Sequence, residues 1–170
     1  MKELVYVDIG IVVVGMLIGS IWNETVMMFF FLLGLCLLSR YPKVAIVDGF
    51  IVIDMVDFFT FYVAYHLGFI YAIGMILLGT WMPQAYSIGE SPIEGIVRTI
   101  SLFVGLGAYY VTVYFAMSLL MSITIAIGVA MLTWAGISIF VIGIPDPRFV
   151  LIAVAKPIFF NRVLGILGCC

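Results

Sequence analysis

Charge is what this chain most lacks. Only 9% of its 170 residues are Asp, Glu, Lys or Arg, and the seven basic residues form no extended run that would grip an anionic polymer. A water-soluble domain carries about 25% charged residues. A soluble globular domain, a disordered segment and a nucleic-acid binder working through a basic surface are therefore excluded. Histidine occurs once, which leaves no second imidazole for a zinc or haem centre. The three cysteines, Cys36 in an apolar run and the adjacent Cys169 and Cys170, do not make an extracellular disulfide framework. Also missing are a Gly-x-Ser-x-Gly elbow, a Gly-rich phosphate loop and a histidine set near a Ser or Cys nucleophile, so the sequence predicts no enzymatic activity of its own and no cofactor.

What fills the space is apolar: 66% of the residues are hydrophobic. With lipid as the solvent and roughly 20 residues per span, the whole of residues 1–170 reads as one all-α transmembrane domain, a polytopic bundle of six helices. A five-span version stays open. The few charges act as punctuation. Lys2, Glu3 and Asp8 precede a first span, Ile9 to Trp22, that lacks the flanks of a cleaved signal. A second, Thr25 to Ser39, ends at Arg40-Tyr41-Pro42-Lys43. That basic cluster places this loop and the amino terminus in the cytoplasm, and a six-span count in the cell membrane puts both termini there.

Val44 to Asp57 reads as a short polar-edged or re-entrant segment, followed by one full span, Phe58 to Met82. Pro83 to Ser91, without a basic residue, reads as an outside loop. Ser91-Pro92-Ile93-Glu94 is a capping box with proline at the first helical position, and Glu94 stands four residues before Arg98, in the favourable order for an ion pair. No charge separates Thr99 from Pro145, a stretch that must hold two spans. Its turn is not fixed by the sequence: the flexible spots are Gly105 and Gly107, and Tyr109 to Met117 contains no turn residue. Asp146-Pro147 opens a last helix, which Pro157 should kink. Ser118, Ser122, Ala126 and Ala130 form a small-residue ladder that lets another helix approach closely, and Gly15 and Gly19 repeat the pattern in the first helix.

Ionised carboxylates are expensive inside a bilayer, so Asp48, Asp54 and Asp57 must meet water, cations or hydrogen-bond donors. On a helix Asp54 and Asp57 share a face while Asp48 points nearly opposite to Asp57, which excludes a three-carboxylate metal cage. These acids mark either the water interface of a helix entry or a substrate, proton or cation site. The aromatic stretch that follows puts Tyr62, His66 and Phe69 along one stripe with Phe58 and Tyr65 beside it. Such a stripe can stack a planar ligand, or it can be plain helix packing with His66 bonded to a backbone carbonyl.

Pro42, then Ile53-Asp54-Met55-Val56-Asp57 leading into the aromatic helix, then Gly68 and Ala72 and a loop holding Gly89-Glu90, resembles the substrate-binding membrane subunits of energy-coupling-factor transporters. The resemblance covers Pro42 to Glu90. It implies a small six-helix fold, a vitamin or similar nutrient held among the helices and outer loops, and an ATPase-driven partner complex docking on the first helix. Where that family shows a small-residue alanine motif on the first helix, this chain has Gly15 and Gly19.

The expected function is thus binding and transport of a small molecule or ion by an integral membrane protein. Asp54, Asp57, Tyr62, Tyr65 and His66 are the candidate binding residues, with Glu90 and Glu94 near the outer mouth. Carboxylates would hold cationic or donor groups, and rings would stack on the apolar body. The partners expected are the lipid bilayer, other membrane subunits and a small-molecule ligand, and no nucleic acid. Two other readings stand beside this one: a structural subunit of a larger membrane assembly, and a membrane-embedded enzyme acting on lipid phosphates, for which Asp48-Gly49 with Asp54 and Asp57 is the partial motif.

Overall fold

A computed structural model describes residues 2–45, 55–85 and 92–142. They form helices only: α1 (Lys2–Trp22), α2 (Glu24–Ala45), α3 (Val56–His66), α4 (Phe69–Gln84), α5 (Pro92–Tyr114) and α6 (Leu119–Ile142). Asp48, Asp54, Glu90 and the helix expected from Asp146 onward lie outside the described residues. Pro92–Tyr114 and Leu119–Val141 are long and apolar enough to cross a membrane, while the apolar parts of the other helices are shorter.

The helices pair as three antiparallel hairpins. In the first, Asn23 breaks the chain and its side-chain oxygen accepts from the Thr25 amide at 2.8 Å, capping α2. Gly15 and Gly19 let the two helices close: a Cβ at Gly15 would overlap the Phe30 ring, and one at Gly19 would overlap the Met27 backbone. The small residues of the first helix therefore pack within the chain. α2 runs past Ser39 and through Pro42 to Ala45.

The second hairpin corrects the single span expected from Phe58 to Met82. The chain turns back at Leu67 and Gly68, where Gly68 has φ +96° and ψ 180°, a conformation essentially reserved for glycine. That α4 returns alongside α3 is fixed by Gly79, whose position lies against Val56 at the start of α3 and against Cys36 of α2. Phe29 in turn lies beside Gly74 and Tyr71, so α2 and α4 run parallel. At 11 and 16 residues α3 and α4 rise only about 16 and 24 Å.

The third hairpin locates the turn that the sequence left open. It falls at Phe115 to Ser118, with no glycine or proline: Ala116 takes the positive φ of 54°, and its amide reaches the Val113 carbonyl at 2.9 Å. Gly105, a candidate for that turn, instead lies where three helices meet. A Cβ there would sit 2.8 Å from the Ala126 carbonyl and from Ala130 Cβ, and 2.9 Å from the Phe61 ring. The Ala126–Ala130 ladder is thus used for packing inside the chain, as close approach between helices requires.

These contacts put all three turns at one end of the bundle, called here the turn end. The other, open end carries the start of α1, the end of α2, the start of α3 and the junction of α4 with α5. The stretches Arg40 to Lys43 and Pro83 to Ser91 were expected at opposite ends. Gln84 and Ala45 instead finish parallel helices at the same end, because α3 and α4 reverse within what was read as one span. One core cluster joins α2 through α6, including Leu33, Cys36, Phe61, Met75, Ile76, Leu102, Leu106, Tyr109, Ile123 and Ile127. α1 packs chiefly on α2 and leaves Val14, Leu17, Ile18, Ile21 and Trp22 exposed.

Candidate functional site

Hydroxyl groups inside so apolar a bundle need local partners, and most find them on their own helix. Ser101 donates to the Val97 carbonyl at 2.7 Å, Thr112 to Tyr109 at 2.7 Å, and Thr124 and Thr133 to the carbonyls four residues back at 2.8 Å. Charged groups have no such local solution and must be met from another helix.

Asp57 is the clearest case. It occupies the first turn of α3, where the helix dipole favours a carboxylate, and it is fully buried. Arg98, one and a half turns into α5, extends its Nη2 to within 3.5 Å of Asp57 Oδ1 and keeps 17% of its side chain exposed. Together with Ser101, Leu102, Ala130, Met131 and Trp134 the two residues line a cavity of about 40 Å³ between α3, α5 and α6. A water needs about 10–15 Å³ measured this way, so the space admits a few waters or a small ion.

The remaining candidates divide between the ends. Tyr62, Tyr65 and His66 gather at the turn end of α3: the His66 ring lies 4.3 Å from Tyr62 and 4.7 Å from Tyr65, and Tyr62 stacks on Phe58 at 5.7 Å. His66 and Tyr65 are exposed. Phe69, expected on the same stripe, instead belongs to α4 beyond the break at Gly68, and its ring meets Tyr110 of α5, 5.6 Å between centroids, with Tyr109 5.3 Å from Tyr110. Asp57, however, stands nine residues before His66 and five before Tyr62 on the same helix, about 14 and 8 Å along its axis. The structure therefore separates the carboxylate from Tyr65 and His66 rather than gathering them around one ligand. Glu94 is exposed in the first turn of α5, and Asp54 and Glu90 lie outside the described residues.

Two acid–base features escaped the sequence reading. Arg98 was assigned to Glu94 on its own helix, and its reach across to Asp57 depends on how α3 packs against α5. Asp8, read as part of the polar lead into the first span, is instead buried inside α1, beside an apolar cavity of about 130 Å³ bounded by Val12, Gly34 and Leu37. Its spacing within an otherwise apolar run was the available signal. Comparison with protein-family models, with curated proteins and with solved structures finds no match.

Proposed function

We propose that this is an integral membrane protein of the cell membrane that binds and moves a small ion or small solute, with the Asp57–Arg98 pair at its binding site. The observation that carries this reading is a fully buried carboxylate paired with an arginine between helices that are otherwise apolar. An ionisable pair in lipid is costly and by default marks a pathway or binding site. The membrane setting itself is supported by the outward surface, where large apolar side chains on α1, α2, α4, α5 and α6 stand exposed, a liability in water and a requirement in lipid. The basic residues Lys2, Arg40, Lys43 and Arg98 belong to the open end, which favours that end in the cytoplasm.

The size of the cavity favours an ion or a small solute over the vitamin-sized ligand implied by the likeness to energy-coupling-factor subunits. Pockets for drug-sized molecules run to about 300–1,000 Å³, several times the volume at Asp57. Purified protein in proteoliposomes driven by a potassium diffusion potential should pass protons, read by an enclosed pH-sensitive dye, or sodium, read by an enclosed sodium-sensitive dye, faster than empty vesicles, and Asp57→Asn should abolish the difference. Native mass spectrometry of the gently solubilised protein tests the small-solute alternative in the same two variants.

The bare apolar face of α1 favours a second reading, a structural subunit docked through that helix. It is the conclusion if the protein leaves the membrane only within a stoichiometric complex and Asp57→Asn is silent in both assays.

A further inference from the structure

The depth of the Asp57–Arg98 cavity in the bundle differs sharply as measured from its two ends. Arg98 lies six residues into α5, about 9 Å below the open end. Beyond it, the floor of the cavity is Ala130, and Ala130 also belongs to the tightest three-helix contact among the described residues, where Gly105 meets Ala126, Ala130 and Phe61 with no room for a methyl group. Past that contact the helices stay closed: Leu106, Tyr109 and Ile123 are all buried. From Gly105 to Thr112, where the buried face of α5 ends, this adds about 10 Å of packed side chains.

We infer that the cavity takes water and small ions from one side of the membrane only, the side of the open end, and that the Phe61–Gly105–Ala126–Ala130 contact is the seal against the other side. This rests on the membrane reading above and goes beyond it by assigning a direction of access and a gate. The physical grounds are twofold. Arg98 keeps 17% of its side chain exposed while its Nη2 stays within 3.5 Å of buried Asp57, so the cavity is not closed off around it, and its Cα is only about 9 Å from the open end. On the deep side α5 lies so close to α6 that a Cβ at Gly105 would be 2.8 Å from the Ala126 carbonyl, which leaves no path for a hydrated ion in this conformation.

The test is cysteine accessibility in sealed vesicles, in full-length protein with Cys36, Cys169 and Cys170 replaced by alanine. Ala85→Cys, just after α4, and Ala116→Cys, in the α5–α6 turn, report the two ends. Ser101→Cys and Met131→Cys report the cavity from two different helices. A membrane-impermeant cationic methanethiosulfonate should modify both cavity positions from the side that modifies Ala85→Cys, with no labelling from the side that modifies Ala116→Cys. Ser122→Cys, beyond the seal, should stay unlabelled from the Ala85 side.

Labelling of both cavity positions from the Ala116 side, or from neither side, overturns the inference while leaving the protein in the membrane. Ala85→Cys and Ala116→Cys reacting from the same side overturns the membrane reading on which it rests. Agreement between the two cavity positions guards against one variant that fails to fold.

Discussion

The two ends of this bundle are built on different physics. At the open end sit Asp57, Arg98, Glu94 and the helix termini bearing Lys2, Arg40 and Lys43. At the turn end the carboxylate and imidazole groups of the described residues are Glu24 and His66, set among exposed rings: Trp22 at 84%, Tyr114 at 85%, and Tyr65, Phe69 and Phe115. One end is organised by charge, the other by ring contacts and backbone geometry. The difference teaches where a chain this poor in charge can place it. The buried charge at the open end is met by an opposite charge from another helix, whereas the carboxylate at the far end, Glu24, stands exposed in the first turn of α2.

The comparison can be broken most directly at Asp57. Removing one partner of a buried pair costs about 3–5 kcal/mol, so Asp57→Ala should be the most destabilising of the changes described here, measured by unfolding in detergent micelles. Asp57→Leu combined with Arg98→Leu should recover much of that loss, because the uncompensated charge is gone. At the turn end, His66→Ala removes ring contacts worth about 0.5–1.5 kcal/mol. A loss there equal to that of Asp57→Ala would mean that the two ends are not held differently.

Next in size are two glycines that do different work. Gly68→Ala forces a side chain into a backbone conformation that costs about 1–3 kcal/mol and should loosen the α3–α4 turn. Gly105→Ala overpacks the three-helix contact by a similar amount, about 1–3 kcal/mol. The internal control is Gly107→Ala, two residues along α5 with nothing within 4 Å of its added methyl. It should raise stability by up to about 1 kcal/mol through helix propensity alone. If Gly105→Ala and Gly107→Ala behave alike, the close contact at Gly105 is not what holds α5 to α6.

The smallest effect sharpens the account of the open end. Trp81 donates its indole N–H to Thr99 at 3.1 Å, tying α4 to α5 near the ion pair. Trp81→Phe keeps the ring and loses that bond, for about 0.5–1.5 kcal/mol. Thermal unfolding of Trp81→Phe beside Thr99→Val should give matching losses that do not add in the double variant.

Much of the element plan was legible in the residues. Asn23 and the polar break around it marked the α1–α2 turn, Gly15 and Gly19 marked the face of α1 that packs, and Pro92 with Glu94 marked the start of α5. Each is a local signal acting within a turn or two of itself. The α3–α4 reversal was not legible, because Gly68 sits in an apolar stretch whose length suits one span, and a glycine inside a helix pattern is ordinarily tolerated. The α5–α6 turn was less legible still: Phe115 to Met117 contains no turn-forming residue, Ser118, which accepts from the Met121 amide at 3.4 Å, reads as part of the small-residue ladder, and Ala116 adopts its positive φ where the two helices reverse. In the candidate site, Asp57 was picked out by its charge in an apolar context. Its partner was not, since Arg98 had an acceptable neighbour at Glu94 on its own helix.

What the sequence determined alone is the alphabet: a chain with so few charges and so many apolar residues folds, over the described residues, as helices whose backbone groups satisfy one another, and it must account for each acid it buries. The tertiary structure decided the direction in which each helix runs, and with it which ends meet. That choice rests on close approach at Gly15, Gly79 and Gly105, contacts between residues far apart in the chain that no local periodicity encodes. It sends α4 back beside α3, sets Asp57 against Arg98, and leaves Tyr65 and His66 at the other end of the same helix.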